Sequence, residues 1–275
     1  MMKYETIHGI QIPKIGFGTW RIGGESIADS SLDEKSLQAL HSALEVGYTH
    51  FDTAEFYAQG HAEELLGKAV QESNIQREKL FITSKVWPGH LCYDAVLKAC
   101  NSSLRRLKME TLDLYLIHWP NKLIKLEETF KALNQLVCEG KVKHVGVSNF
   151  NLKDLKKSIE LSETPLLTNQ VPYSLPENKY VKNGVVDFCK QNDILVTAYT
   201  PVNFRNMKVN TTLKAIAEAH EATSFQIALA WLTNQPRVIT IPMSFDPQHQ
   251  KENLDAADIE LTAEETQTLN QLYKR

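Results

Sequence analysis

Eight short apolar runs, each followed by a longer stretch with apolar residues at helical spacing, constrain this chain more than any other feature. The runs are Ile15 to Thr19, Thr49 to Asp52, Leu80 to Lys85, Leu112 to His118, His144 to Val147, Leu166 to Gln170, Leu195 to Tyr199 and Val238 to Pro242. Leu37, Leu40, Ala43 and Leu44, or Leu126, Phe130, Leu133, Leu136 and Val137, show the intervening helical pattern. Strands that alternate with helices in this way build a parallel sheet covered by helices. An open doubly wound sheet that bound a dinucleotide would carry G-x-G-x-x-G after its first strand. Gly16-Phe17-Gly18-Thr19-Trp20-Arg21 lacks the third glycine, and no Pro/Gly/Ser-rich linker divides the chain. The pattern therefore predicts an α/β fold, a (β/α)8 TIM barrel in which residues 1–275 form one domain. Thr6-Ile7 and Ile10-Gln11-Ile12 flank His8-Gly9, which predicts an N-terminal β-hairpin closing the barrel bottom.

Charge removes one class of function. Lys and Arg number 30 against 33 Asp and Glu, a formal charge of −3, whereas a nucleic-acid binder needs a basic excess to displace counterions from phosphates. Without an apolar run of the ~20 residues that span a bilayer, and without a signal-peptide core, the expectation is a cytoplasmic protein with no membrane partner. Cys92, Cys100, Cys138 and Cys189 form no CxxC pair and fall on what read as separate helices. They are expected to be reduced fillers, with no metal site.

Barrel enzymes place reacting groups where strands end and βα loops begin. The second run ends in Asp52 with Tyr57 five residues on, the third ends in Lys85 and the fourth in His118. Plainer readings exist for each: a turn cap, a loop aromatic, a solvated strand end, a core histidine. Together, on three neighbouring strand ends, they form a set suited to carbonyl reduction. Hydride delivered to a carbonyl carbon leaves charge on oxygen, so a proton donor must stand beside it, and a phenol with a pKa of about 10 is a sluggish one. An ammonium at Lys85 would lower the Tyr57 pKa, Asp52 would hold Lys85 charged and oriented, and His118 would hydrogen-bond the substrate oxygen.

Several stretches resemble the aldo-keto reductases: Gly16-Phe17-Gly18-Thr19-Trp20, Phe51-Asp52-Thr53-Ala54 with Tyr57, Ile82 to Trp87, Leu112 to Pro120, and Gly146-Val147-Ser148-Asn149-Phe150. The resemblance covers essentially the whole chain and is nearest to the short bacterial members of diketogluconate-reductase type. It implies an NAD(P)H-dependent reductase of aldehydes or ketones, acting as a monomer on small carbonyl substrates, with Asp52, Tyr57, Lys85 and His118 as catalytic residues. It also implies a nicotinamide cofactor lying extended across the barrel mouth. Ser148, Asn149 and Gln170 match the groups that bind the carboxamide, and Tyr199 matches the aromatic that stacks on the nicotinamide. Thr19, Ser244 and Asn253 complete the implied cofactor contacts, while Trp20, Trp87 and Trp119 are the implied substrate walls. Alternatives remain: Ser148-Asn149 capping the helix near Leu152, Gln170 closing a strand, Tyr199 or a tryptophan merely packed.

The departures are as informative. Pro172 stands where the family commonly has Glu, and Thr200 follows Tyr199 in place of Ser. Met243 and His249 fall where the family often has Lys and Arg gripping the adenosine 2′-phosphate, so NADP(H) is the default cofactor and use of NAD(H) is plausible. Ser244, Gln248, Lys251 and Arg205 are the remaining candidates for that phosphate. A short Asn121–Lys125 stretch, with a chain stopping soon after a helix ending near Leu272, suggests an open pocket mouth and broad specificity. Two other functions stay on the table: a regulatory nucleotide-binding protein of the same fold, and a barrel hydrolase or lyase using His118 and Asp52.

Overall fold

The computed structural model describes residues 3–202 and 211–272. Ten strands run in chain order: β1 (Tyr4–Ile7), β2 (Ile10–Pro13), β3 (Phe17–Gly18), β4 (His50–Asp52), β5 (Phe81–Val86), β6 (Leu112–Ile117), β7 (Val142–Ser148), β8 (Thr168–Pro172), β9 (Leu195–Tyr199) and β10 (Val238–Thr240). Between and after them lie α1 (Asp33–Val46), α2 (His61–Glu72), α3 (Tyr93–Leu107), α4 (Leu126–Cys138), α5 (Leu152–Leu161), α6 (Lys179–Lys182), α7 (Val185–Gln191), α8 (Thr211–Ala219), α9 (Ser224–Thr233), α10 (Pro247–Asp255) and α11 (Ala263–Leu272). β3 to β10 form one eight-stranded sheet in sequence order, every pair parallel. The sheet closes on itself through Gly16 N to Thr240 O at 2.8 Å and Thr240 N to Lys14 O at 2.9 Å. This is the (β/α)8 barrel that the eight-fold alternation predicts.

The glycines of Gly16-Phe17-Gly18 serve the closure. A Cβ on Gly16 would stand 2.5 Å from the His50 ring, and one on Gly18 would stand 2.7 Å from the Ile241 carbonyl oxygen. Bare backbone is needed at Gly18 against the segment after the last strand, and at Gly16 against the His50 side chain of β4. That crowding also shortens the predicted Ile15–Thr19 strand, which pairs with β4 over Phe17 and Gly18 alone while Ile15 bridges to Thr240.

Side chains alternate across the barrel wall. Leu114 and Leu116 of β6 point inward and join Leu167, Leu195 and Ile239, while Tyr115 and Ile117 of the same strand pack outward against the helices. Ile7 and Ile12 of the antiparallel β1–β2 hairpin complete the inner cluster. The hairpin therefore plugs the bottom of the barrel, as the sequence predicts, and leaves the opposite end for polar groups.

One cysteine expectation needs correction. Cys92 is the residue preceding α3, and Cys100 lies on that same helix, so these two share one segment. All four thiols are free. Burial pushes Cys100 and Cys189 each up to about 12, which keeps them protonated and unreactive. Among the described residues no helix is long and apolar enough to cross a membrane, and no cluster of three or more His, Cys, Asp or Glu side chains is arranged to hold a metal ion.

Candidate active site

Three neighbouring strands and the turn after the first of them deliver the predicted tetrad. Asp52 is the last residue of β4, Tyr57 opens the short turn after it, Lys85 is the penultimate residue of β5 and His118 directly follows β6. Parallel register pairs Asp52 with Thr83 and Lys85 with Leu116, which sets these residues at one end of the barrel.

Lys85 is the hub. Its side chain is fully buried, so it is not a solvated strand end. The ammonium donates to the Asp52 carboxylate, to the Thr53 carbonyl at 2.9 Å and to the Tyr57 hydroxyl at 3.1 Å. A lysine has three hydrogens to give, and all three are spent here. His118 is 8% exposed and lies edge-on to Tyr57, with ring centroids 5.7 Å apart.

The electrostatics correct one expectation. Desolvation raises the Tyr57 phenol above its ordinary value, Lys85 pulls it down, and the Asp52 carboxylate adds to the rise, so the net direction is up. Lys85 acts in the predicted sense but is outweighed. Burial also opposes the Lys85 charge, yet Asp52 and Tyr57 more than offset it and the amine sits above its usual value. Burial, aided by Lys85, drops His118 to about 3. Near neutrality the site thus holds a protonated phenol, an ammonium and a neutral imidazole.

Ser148 ends β7, Asn149 directly follows it and Gln170 lies in β8. Ser148 Oγ donates to the Gln170 carbonyl at 2.9 Å, and Asn149 Nδ2 donates to the His118 carbonyl at 3.2 Å and to Ser148 Oγ at 2.9 Å. The half-buried Tyr199 donates its hydroxyl to Asn149 Oδ1 at 2.9 Å. The capping alternative falls, because Asn151 caps α5 by accepting from Lys153 N and Asp154 N. Thr19 is fully buried and donates to the Asp52 backbone carbonyl at 3.1 Å.

Ser244 and Asn253 sit apart, after β10 and within α10. Ser244 Oγ accepts from Asp246 N at 3.1 Å, and Asn253 hydrogen-bonds the Tyr48 hydroxyl. Met243 is half-buried against the core and His249 is exposed. Lys251 is paired with Asp255 at 2.5 Å and Gln248 donates to Glu252 at 3.0 Å; Arg205 lies outside the described residues.

Two residues that the sequence did not single out belong to the site. Phe56 stacks on Trp87 with centroids 4.0 Å apart and lies parallel to Trp20 at 6.4 Å. Trp20 in turn meets Tyr57 edge-on at 5.1 Å, so an aromatic wall rises beside the tetrad. Glu55 accepts from Trp87 N at 2.6 Å and contacts His90 Nδ1 at 3.0 Å, which staples the turn carrying Tyr57 to the loop after β5. Their only signal was position, between Asp52 and Tyr57. Trp119, 44% exposed, makes no ring contact with this wall among the described residues.

The aldo/keto reductase family matches residues 14–274. The chain belongs to that family. It is 34% identical over 270 residues to the methylglyoxal reductase YeaE of Escherichia coli, covering 96% of this chain and 92% of that one. Among solved structures it is similar to the thermostable aldo-keto reductase Tm1743, in complex with the inhibitor epalrestat, at a TM-score of 0.94 and 42% identity over 98% of this chain and 100% of that one. An aldo/keto reductase from Klebsiella pneumoniae, in complex with NADP and acetate, is similar at a TM-score of 0.88 and 33% identity, covering 99% of this chain and 96% of that one. Family membership makes the chain an NAD(P)H-dependent oxidoreductase of small carbonyl compounds.

Proposed function

We propose that this enzyme reduces aldehyde and ketone carbonyls of small substrates to alcohols, with Tyr57 as the proton donor. The observation that carries the reading is the saturated Lys85 ammonium, held between Asp52 and the Tyr57 hydroxyl. A nicotinamide cofactor, when bound, supplies the hydride. The donor set suits a carboxamide, which offers both donors and an acceptor. Ser148, Asn149 and Gln170 bring hydroxyl and amide groups of both kinds, and the Gln170 side-chain oxygen Oε1 accepts no hydrogen bond among the described residues. Tyr199 is the aromatic face beside them.

The protein's part is proton delivery and charge stabilisation. Burial keeps the Tyr57 phenol protonated and so loaded as a donor. As its proton leaves, the phenolate that forms already faces the Lys85 ammonium, and no reorganisation is needed at that moment. Asp52 fixes the ammonium in place, while a neutral His118 can hydrogen-bond the substrate oxygen without adding charge. Trp20, Phe56 and Trp87 exclude water from one side of the carbonyl.

For substrate, the similarity to a methylglyoxal reductase makes 2-oxoaldehydes the first compounds to assay. NADP(H) is the default cofactor, with NAD(H) use favoured by the missing basic clamp. The reading includes a cytoplasmic monomer, whose oligomeric state sedimentation would check. The test is a carbonyl panel run against NADPH and NADH, with Tyr57→Phe beside the parent. Folded Tyr57→Phe should bind cofactor and lose most turnover. More than about a tenth of parental turnover would contradict the ~10²–10⁴ expected of a general acid. A nucleotide-binding regulator or a hydrolase would show no sustained, stoichiometric cofactor oxidation.

A further inference from the structure

The tetrad has a fifth partner that neighbouring-strand contacts do not explain. Asp52 presents two carboxylate oxygens: Oδ1 takes the Lys85 ammonium, and Oδ2 takes a hydrogen bond from Gln170 Nε2 at 2.8 Å. Gln170 lies on β8 and Asp52 on β4, separated in sheet order by β5, β6 and β7. In an eight-stranded barrel that is the diametrically opposite strand. The bond therefore crosses the barrel mouth, and both side chains are buried, at 3% and 1% exposure.

Gln170 is itself rigidly mounted. Its backbone carbonyl accepts from Asn149 N at 2.9 Å and from Ser148 Oγ at 2.9 Å, and its residue is in register with Ser148 on one side and Thr197 on the other. The strut is fixed at the β8 end, so its amide fixes what it touches at the other.

We propose that Gln170 is a positioning residue for the proton donor: its amide pins the second oxygen of Asp52 so that the first stays on Lys85, and Lys85 stays on Tyr57. This rests on Tyr57 being the donor, and it is separate from any contact Gln170 makes with a cofactor. A carboxylate held at one oxygen only can swing about its Cβ–Cγ bond. Held at both, it presents one geometry to the ammonium. The amide also turns the positive end of its N–H dipole toward the Asp52 carboxylate, and the ammonium that Asp52 holds is the charge that faces the phenolate Tyr57 becomes. The titratable groups facing this point are Asp52 and His50 from β4, Lys85 from β5, Tyr57 from the turn after β4, His118 after β6 and Tyr199 from β9.

Two variants test it. Gln170→Leu keeps the bulk and removes the donor, and it should lower kcat by about tenfold or more, the scale of a lost hydrogen bond to a charged group. Gln170→Glu keeps the shape and makes the donor depend on pH. Two carboxyl groups sharing one site hold a proton between them. Below the pair's raised apparent pKa the acid donates to Asp52 and kcat should approach that of the parent. Above it the two anions repel, and kcat should fall to the level of Gln170→Leu or lower. A purely structural residue gives no such pH-dependent rescue. The second readout needs neither cofactor nor turnover. In the apo-protein carrying [¹³Cζ]tyrosine, with the Tyr57 signal assigned by its loss in Tyr57→Phe, ionisation of Tyr57 should begin at higher pH in Gln170→Leu than in the parent. A role confined to the carboxamide would weaken cofactor binding and leave that titration in place. The proposal is overturned if Gln170→Glu tracks Gln170→Leu at every pH, or if the Tyr57 signal titrates identically in Gln170→Leu and parent. If the carbonyl panel shows no turnover in any variant, the functional reading fails, and the apo titration still decides the strut.

Discussion

Replacing the two ends of the Lys85–Asp52 pair, singly and together, measures how far the site depends on one buried interaction. The side chains are 0% and 2% exposed, so water cannot compensate either charge. Removing one partner of such a pair costs ~3–5 kcal/mol, because the other charge is left in low dielectric. Lys85→Met strands the Asp52 carboxylate with the Gln170 amide as its described side-chain partner. Asp52→Asn leaves the ammonium with the Thr53 carbonyl at 2.9 Å and the Tyr57 hydroxyl at 3.1 Å, and a lysine can also shed its proton. Lys85→Met should therefore be the more destabilising. The double variant removes both charges and should cost about as much as one single change, which leaves a coupling of ~3 kcal/mol. Urea unfolding of the four proteins at pH 7 gives the cycle, provided the denaturant slope stays constant across the set. Activity on the folded variants completes it, with Lys85→Met the most damaged of the singles. Additivity within ~0.5 kcal/mol would show that the carboxylate does not hold the ammonium. Full turnover in folded Lys85→Met would remove Lys85 from the chemistry altogether.

Two further outcomes follow from charges outside that pair. A 2′-phosphate met by Lys or Arg gains ~1.5–3 kcal/mol per charge-assisted hydrogen bond, so Met243→Lys/His249→Arg should raise the NADPH/NADH ratio of kcat/KM by ~10²-fold or more. A parent that already prefers NADPH about a thousandfold, unchanged by the double substitution, would show that other residues grip the phosphate. Burial holds His50 at about 4 and His118 at about 3, whereas the unfolded chain takes up those protons near pH 6.5. Both contributions to stability are complete above about pH 6.5 and are lost as pH falls below it, at ~1.4 kcal/mol per unit for each histidine. Unfolding measured between pH 6.5 and 5 should therefore take up about one proton fewer in His50→Gln than in the parent, and an unchanged slope would mean that His50 is already charged in the folded protein.

The barrel was legible because its strands are buried on both faces and so read as unbroken apolar runs. Boundaries were less so: the run Leu166 to Gln170 yields a strand from Thr168 to Pro172, because Leu166 and Leu167 are core residues that precede the β8 ladder. The tetrad was legible as polar endings on adjacent strands. Its energetics were not, since a lysine at a strand end looks the same in sequence whether solvated or, as at Lys85, wholly buried. The upward direction of Tyr57 was hidden for the same reason: the spacing names Lys85 as a neighbour but not the burial that outweighs it. Glu55 and Phe56 look like ordinary loop residues until Trp87 is placed against them. The Gln170–Asp52 contact joins residues 118 apart on opposite strands, and no periodicity in a chain marks a diameter.

The interior of the barrel is divided by height, and that division sets the polar tetrad at one end. Leu116 is in register with Lys85 on one side and Gly146 on the other, and a Cβ on Gly146 would stand 2.6 Å from Leu116 Cδ2, so the strand beside Lys85 is closely packed against its neighbour. Below the level of Lys85, Ile7, Ile12, Leu114, Leu167, Leu195 and Ile239 form an apolar cluster, with the buried His50–Thr83 contact of 3.3 Å beside it. The Lys85 side chain is fully buried. Its charge is stabilised only by the acceptors arranged around it, and in such surroundings each is worth more than it would be in water. Those acceptors come from β4 and the turn that follows it, a turn fixed by Glu55 at one end and by the Ala58 N to Glu25 O bond of 2.7 Å at the other. Exposed Trp20 and Trp119 stand above this level. Among the described residues Trp119 makes no ring contact with Tyr57, so a substitution there should change which carbonyl compound fits and leave the surroundings of Tyr57 as they are, whereas one at Trp20, which meets Tyr57 edge-on at 5.1 Å, should disturb both.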